Sequence, residues 1–284
     1  MKVTTRLAWL AATLFSLLSY SVQAEQRIIS AGASVTELLL ALNAQQELVA
    51  VDVTSTLPDM LTLPKIGYHR QLSAEGILSL APTRLIGSDE MGPPATLKKL
   101  RAAGVEVDVI NSDVTPQGLM QRIDQIAALT GHSANATQLK QTVQHTIDHL
   151  SAHQPPQSAR KKVLFLLIHE GRAANVAGTQ TVPDEIINLA GATNPAAGEV
   201  SSYKPLSMEA LVQMQPDVIL VSGRSYDKLG GPDAILQSLP LLAATPAGQN
   251  KQIITLDGHA LVGGLGLNSL KEAQRLQTIL YPQE

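Results

Sequence analysis

Ser73-Ala74-Glu75-Gly76-Ile77-Leu78-Ser79-Leu80-Ala81-Pro82 leads into the apolar run Thr83-Arg84-Leu85-Ile86-Gly87-Ser88, and this phrase decides the fold because it returns. Its second copy is Ser207-Met208-Glu209-Ala210-Leu211-Val212-Gln213-Met214-Gln215-Pro216, leading into Asp217-Val218-Ile219-Leu220-Val221-Ser222. Glu75 and Glu209 are 134 positions apart, and so are Pro82 and Pro216. A shared period of this kind predicts two similar lobes in tandem, with a cleft between them. In each copy a Ser stands where it can cap a short helix, and the run after the Pro reads as a buried strand.

Working outward, Arg27 to Ala31, Leu48 to Val51, Arg84 to Gly87 and Val105 to Ile110 read as strands. They alternate with helices at Val35 to Leu42, Ser73 to Leu80 and Ala95 to Ala103, the last ending at Gly104. Such alternation predicts parallel sheets with helices on both faces. From Pro116 to His153 no strand is expected, and two helices break near Gly131-His132-Ser133. The apolar strand Lys162 to Ile168 then restarts the alternation. The predicted architecture is α/β, with two Rossmann-like lobes at 25–115 and 157–284 and a helical connector at 116–156. Glu37-Leu38-Leu39-Leu40-Ala41-Leu42 has its counterpart in Glu185-Ile186-Ile187-Asn188-Leu189-Ala190 at an offset of 148. The second lobe therefore carries an extra loop of about 14 residues, holding His169-Glu170-Gly171-Arg172 and running to Pro183. Loops after strand C-termini form ligand sites in α/β sheets, so this one is a candidate cleft wall.

The chain opens with Lys2 and Arg6, an apolar stretch from Leu7 to Leu18, and Val22-Gln23-Ala24. That is the layout of a secretory signal peptide over residues 1–24, and the apolar run is short for a membrane span. Cleavage near Ala24 would release a soluble periplasmic protein beginning near Glu25. No Cys follows, so a lipid anchor, disulfides and thiolate metal sites are excluded. With the signal gone, Trp9 and Phe15 are lost, leaving no Trp and only Phe165, and the formal charge is −5 (19 basic against 24 acidic). A mildly acidic surface gives no electrostatic case for nucleic acid. So few aromatic rings argue against a sugar cleft.

Gly67-Tyr68-His69-Arg70-Gln71-Leu72-Ser73-Ala74-Glu75-Gly76 resembles the haem-binding proteins of bacterial haem ABC importers. Gly92-Pro93-Pro94, followed by Leu97 to Val105, carries the same resemblance, which extends from Ile28 to about Leu280. The repeat alone is shared with the wider class of cobalamin, siderophore and metal binding proteins. The resemblance implies two lobes joined by a long rigid helix, ferric haem as transported ligand, and a monomeric carrier that is not an enzyme. It also implies delivery to an inner-membrane ABC permease dimer with its ATPase.

A phenolate is a hard anionic donor suited to ferric iron, and Tyr is a known haem ligand. An ordinary phenol ionises near pH 10, so such a ligand needs the metal or a cation beside it. Arg70 can supply that charge or pair with a propionate through its planar fork. An extended loop would turn His69 away from Tyr68 and Arg70, which leaves His69 a secondary candidate. By the resemblance, His169 is the opposing ligand, with one haem held between the two residues or two haems with one ligand each. Met91, Arg172, Tyr203, Lys204 and Arg224 are further candidate cleft contacts.

Glu75 and Glu209 each stand in a first helical turn, where an acid complements the helix dipole by about 0.3–1 kcal/mol. The resemblance gives them a second role, docking onto the two permease subunits. His145, His149 and His153 form one helical stripe, read as a solvated face, and Gly263-Gly264-Leu265-Gly266 is read as a turn. Competing functions are a cobalamin or ferric-siderophore carrier and, behind these, a Zn or Mn carrier. The Gly-x-Ser-x-Gly elbow of a hydrolase is absent.

Overall fold

A computed structural model describes residues 26–168 and 173–282. The signal segment 1–24 lies outside the described residues.

The first lobe runs β1 (Ile28–Ala31), α1 (Ala33–Ala41), β2 (Leu48–Val51), α2 (Ala74–Leu78), β3 (Arg84–Ser88), α3 (Pro94–Ala102) and β4 (Glu106–Ile110). Its sheet has the order β2-β1-β3-β4, and every pairing is parallel. Successive strand residues point to opposite faces, and both faces here are apolar. Ile28 and Ile86 join Leu38, Leu119 and Ile123 on one side, while Ile29 and Leu85 join Leu72, Ile77 and Leu100 on the other.

The connector is α4 (Pro116–Thr130) and α5 (Ser133–Ala152), separated by Gly131 in the left-handed conformation at φ 76°. The sequence break near Gly131 is thus where the chain turns. The 20 residues of α5 span about 30 Å. Ala136 and Val143 belong to the first-lobe core, and Leu150, seven residues further, to the second. A helix anchored in both cores is a stiff strut.

The second lobe runs β5 (Val163–Leu167), β6 (Asn175–Ala177), α6 (Val182–Leu189), β7 (Tyr203–Pro205), α7 (Met208–Gln213), β8 (Val218–Ser222), α8 (Gly223–Leu229), α9 (Pro232–Ser238), α10 (Pro246–Gln249), β9 (Ile253–Leu256) and α11 (Leu267–Leu280). The sheet order is β7-β6-β5-β8-β9. Val163, Phe165 and Leu220 face one core and Leu164, Leu166 and Ile219 the other. β5, β8 and β9 are parallel, but β6 pairs antiparallel with both β5 and β7, so it alone runs against the sheet and the expectation of a wholly parallel sheet fails here. Only seven residues separate β5 from β6, too few for the crossover that parallel pairing needs.

The repeat is reproduced in detail. Ser73 Oγ accepts from Gly76 N and Ser207 Oγ from Ala210 N, capping α2 and α7. Each phrase ends on a non-glycine residue at φ 47°, Ala81 or Gln215, just before its Pro.

The boundary at residue 157 is not a clean partition. After β9 the chain crosses back, and Leu265 and Leu270 pack in the first-lobe core. Ser34 Oγ donates to Gly263 O at 2.6 Å, Leu265 N donates to Asp113 O at 3.2 Å, and the buried Arg122 donates to Leu265 O. Glu37 of α1 accepts from Leu267 N at 2.6 Å and Asn268 N at 3.1 Å, capping α11. A Cβ at Gly264 would stand 2.7 Å from the Ser112 carbonyl, which explains the glycine in this crossing. From there α11 returns to the second core through Ala273, Leu276 and Leu280.

Candidate functional site

The strands of both lobes end toward one cavity of about 790 Å³, a volume within the range of small-molecule and cofactor sites. The first lobe contributes Thr54, Tyr68, His69, Arg70 and Glu90. The second contributes Phe165, Leu167, Ile168 and Tyr203, the start of α8, Asp227 to Leu229, and the segment Asp257 to Val262. Apolar and polar groups are mixed on these walls.

Tyr68 is set by a short, closely tied loop. Gly67, at φ 87°, turns the chain, and its carbonyl accepts from Val53 N. His69–Gln71 form a 3-10 turn, so the condition of an extended loop is not met. Leu72 N donates to Gly92 O at 2.8 Å, and Gly92 N to His69 O at 2.9 Å, which ties this turn to the loop after β3. Tyr68 stays 41 % exposed in the cavity while His69 is fully buried beneath it, their rings edge to face at 4.5 Å. The tight turn sets the two rings at different depths of the same wall.

Beneath Tyr68 lies a network that the sequence reading did not find. His69 Nδ1 lies 2.9 Å from Asp52 Oδ2, and Asp52 also accepts from Thr54 and Ser55 hydroxyls. His69 Nε2 faces Glu90 Oε2 at 3.7 Å and has no hydrogen-bond partner. Glu90 in turn pairs with Arg70. Burial works to raise the Asp52 carboxyl, but the hydrogen bonds from His69, Ser55 and Thr54 outweigh it and hold it below the usual range. Burial also works to lower the His69 imidazole, and the two carboxylates outweigh it and leave it raised. His69 and Arg70 hold Glu90 low against its own burial. Asp52 and Glu90 follow the C-termini of β2 and β3, the position where α/β folds place ligand-binding groups.

Tyr203 reaches the cavity from the opposite lobe, with its ring 6.4 Å from Phe165. Burial, with the Glu90 carboxylate adding to it, keeps its phenol above the ordinary value, so Tyr203 is a neutral hydroxyl. Lys204, next on β7, is exposed and does not line the cavity, as strand alternation requires. Met91 is also corrected. It is only 5 % exposed and packs with Ile29, Leu72 and Leu85 inside the first lobe rather than facing the cavity. Arg224 lies in the first turn of α8 beside the cavity-lining Gly223, but its side chain is outside the described residues, as are His169 and Arg172. His259, also missed, lines the second-lobe wall with Nδ1 3.0 Å from Asp257 Oδ1, leaving Nε2 as its other ring nitrogen.

Glu75 and Glu209 are both exposed in the first turns of α2 and α7, one on each lobe. His149 of α5 stacks at 4.2 Å on His153, the residue just past the helix end, and no cluster suited to a metal ion occurs among the described residues.

The cavity thus offers a phenol oxygen in Tyr68, a guanidinium in Arg70, and apolar walls from Phe165, Leu167, Leu229, Leu261 and Val262. These fit a flat amphipathic ligand that carries a hard metal ion and carboxylates.

Residues 28–260 match the family model of periplasmic binding proteins. The chain is similar to the periplasmic heme binding protein HutB of Vibrio cholerae, with 64% identity, 91% of this chain and 100% of that one covered, and a TM-score of 0.87. It is similar to the periplasmic heme-binding protein BhuT, solved in complex with two hemes, with 34% identity, 90% and 99% covered, and a TM-score of 0.80. A curated relative, the vitamin B12-binding protein of Vibrio cholerae serotype O1, is 30% identical over 215 residues, covering 73% of this chain and 74% of its own length.

Proposed function

The chain belongs to the periplasmic binding protein family, and from that premise we propose that it captures haem in the interlobe cavity and delivers it to an inner-membrane ABC permease. The observation that carries the reading is Tyr68, held half-exposed at the cavity wall between Gly67 and a buried His69, with Arg70 beside it. In this reading Tyr68 supplies the phenolate oxygen to ferric iron, and Arg70 receives a propionate. The apolar second-lobe wall covers the porphyrin, and Tyr203 donates a hydroxyl from the facing lobe. His169, in the loop after β5, is the second iron ligand, with Arg172 and Arg224 at the rim. The cargo leaves chemically unchanged.

The proposal extends to export and docking. Residues 1–24 direct the chain to the periplasm and are cleaved near Ala24. Glu75 and Glu209, one per lobe, meet the two permease subunits, and the associated ATPase drives release.

The 30% identical vitamin B12-binding relative makes cobalamin the competing cargo. Titrating the purified protein with haemin and, separately, with cyanocobalamin decides between them. The expected result is a saturable shift of the haem absorbance and no binding of cyanocobalamin. The plateau gives one or two haems per chain. Saturable cyanocobalamin binding without a haemin response would overturn the proposal.

A further inference from the structure

Arg70 is the cation beside Tyr68, yet it is already engaged by the Glu90 carboxylate. The contact runs through Nη2, so a ligand carboxylate that takes the Arg70 fork at this nitrogen displaces Glu90. A carboxylate stripped of its partner in a half-closed cavity is costly, and Glu90 is only 31 % exposed. A second partner waits nearby. His69 is fully buried, anchored through Nδ1 by Asp52, and points its unpartnered Nε2 at Glu90 Oε2 from 3.7 Å, slightly beyond hydrogen-bond range. A shift of less than 1 Å by the Glu90 carboxylate would close that gap, within the usual about 2.7–3.2 Å of such a bond.

We propose that Glu90 is a specificity-determining residue that occupies Arg70 as a built-in stand-in for the ligand's carboxylate. When a ligand carboxylate arrives, Arg70 transfers to it and Glu90 closes onto His69 Nε2. Ligands without a carboxylate leave the Arg70–Glu90 pair intact and gain nothing from the exchange. The arrangement costs some affinity for the cargo and gives selectivity against apolar porphyrins. Asp52 acts at one remove, as a positioning residue that keeps Nε2 aimed at Glu90. This inference rests on the haem reading above and assigns Glu90 a part in it.

The test compares wild type with Glu90→Gln, using haemin and its dimethyl ester, which lacks free carboxylates. Glu90→Gln is expected to bind haemin roughly three- to fivefold more tightly, the scale of a partly exposed ion pair. Binding of the ester should not tighten. In an Arg70→Gln background the gain from Glu90→Gln should vanish. Without ligand, the side-chain NMR signals of the Arg70 Nη2 hydrogens should show the restricted exchange of a paired guanidinium in wild type and lose it in Glu90→Gln. Unchanged or weaker haemin binding by a folded Glu90→Gln, an equal gain with the ester, or an Arg70 signal indifferent to the substitution would each overturn the inference. Failure of wild type itself to bind haemin would instead overturn the haem reading, and the Arg70 signal would still report on the pair.

Discussion

Glu37 ties the lobes together at a cost that depends on pH. It comes from α1 in the first lobe and accepts from Leu267 N and Asn268 N at the start of α11, whose other end lies in the second core. Burial raises its carboxyl from 4.5 to about 7, although the two backbone hydrogen bonds and the nearby Lys271 and Arg122 work to lower it. A carboxyl raised in the folded state keeps a proton there that the unfolded chain has released. Stability therefore falls as pH rises from about 4.5 to about 7 and levels off above that. At about 1.4 kcal/mol for each unit, the loss is about 3 kcal/mol. Glu37→Gln removes the titration but keeps one acceptor for the two N–H groups, giving up about 1 kcal/mol at every pH. Urea unfolding of both proteins from pH 4.5 to 8 is the assay. Other groups that titrate in this window cancel in the difference between the two curves. The wild type should lose about 3 kcal/mol more than Glu37→Gln across the window. Parallel curves would refute the reasoning.

Leu150→Ala removes a fully buried side chain at the point where α5 enters the second core, and should cost about 2–5 kcal/mol in urea unfolding. A loss below about 1 kcal/mol would mean that the strut is not packed as described. Glu75→Lys combined with Glu209→Lys should leave the haemin titration unchanged, since both acids are exposed on α2 and α7 outside the cavity. Haem uptake by cells expressing the double variant should collapse, and normal uptake would remove the docking role.

The repeat made the lobes legible because its signals are local. A Ser that can cap, an apolar helix face and a strand after a Pro recur at one period, and both copies fold alike down to Ala81 and Gln215. What could not be read depends on partners far away in the chain. Gly263 to Gly266 looks like a turn in isolation, but its place is set by Ser34, Asp113 and Glu37, which are more than 100 residues distant. Strands β6 and β7 have three residues each, too few to show a period, and exist through their pairing.

At the site, Tyr68, Arg70 and Tyr203 were legible through the phrase that follows them. Asp52, Glu90 and His259 carry no such phrase. Their shared signal is position just beyond the ends of β2, β3 and β9, which becomes informative only once those strands are placed. Met91 and Lys204 misled for a related reason, since each adjoins a cavity residue in sequence but points elsewhere.

The Tyr68→Phe substitution asks whether Tyr68 supplies the iron ligand. The substitution removes one oxygen and leaves the ring against His69, so folding should be preserved. Haemin absorbance spectra of the wild type should carry the signature of tyrosinate bound to ferric iron, and Tyr68→Phe should lose it. An unaltered spectrum in a folded Tyr68→Phe protein would contradict the account.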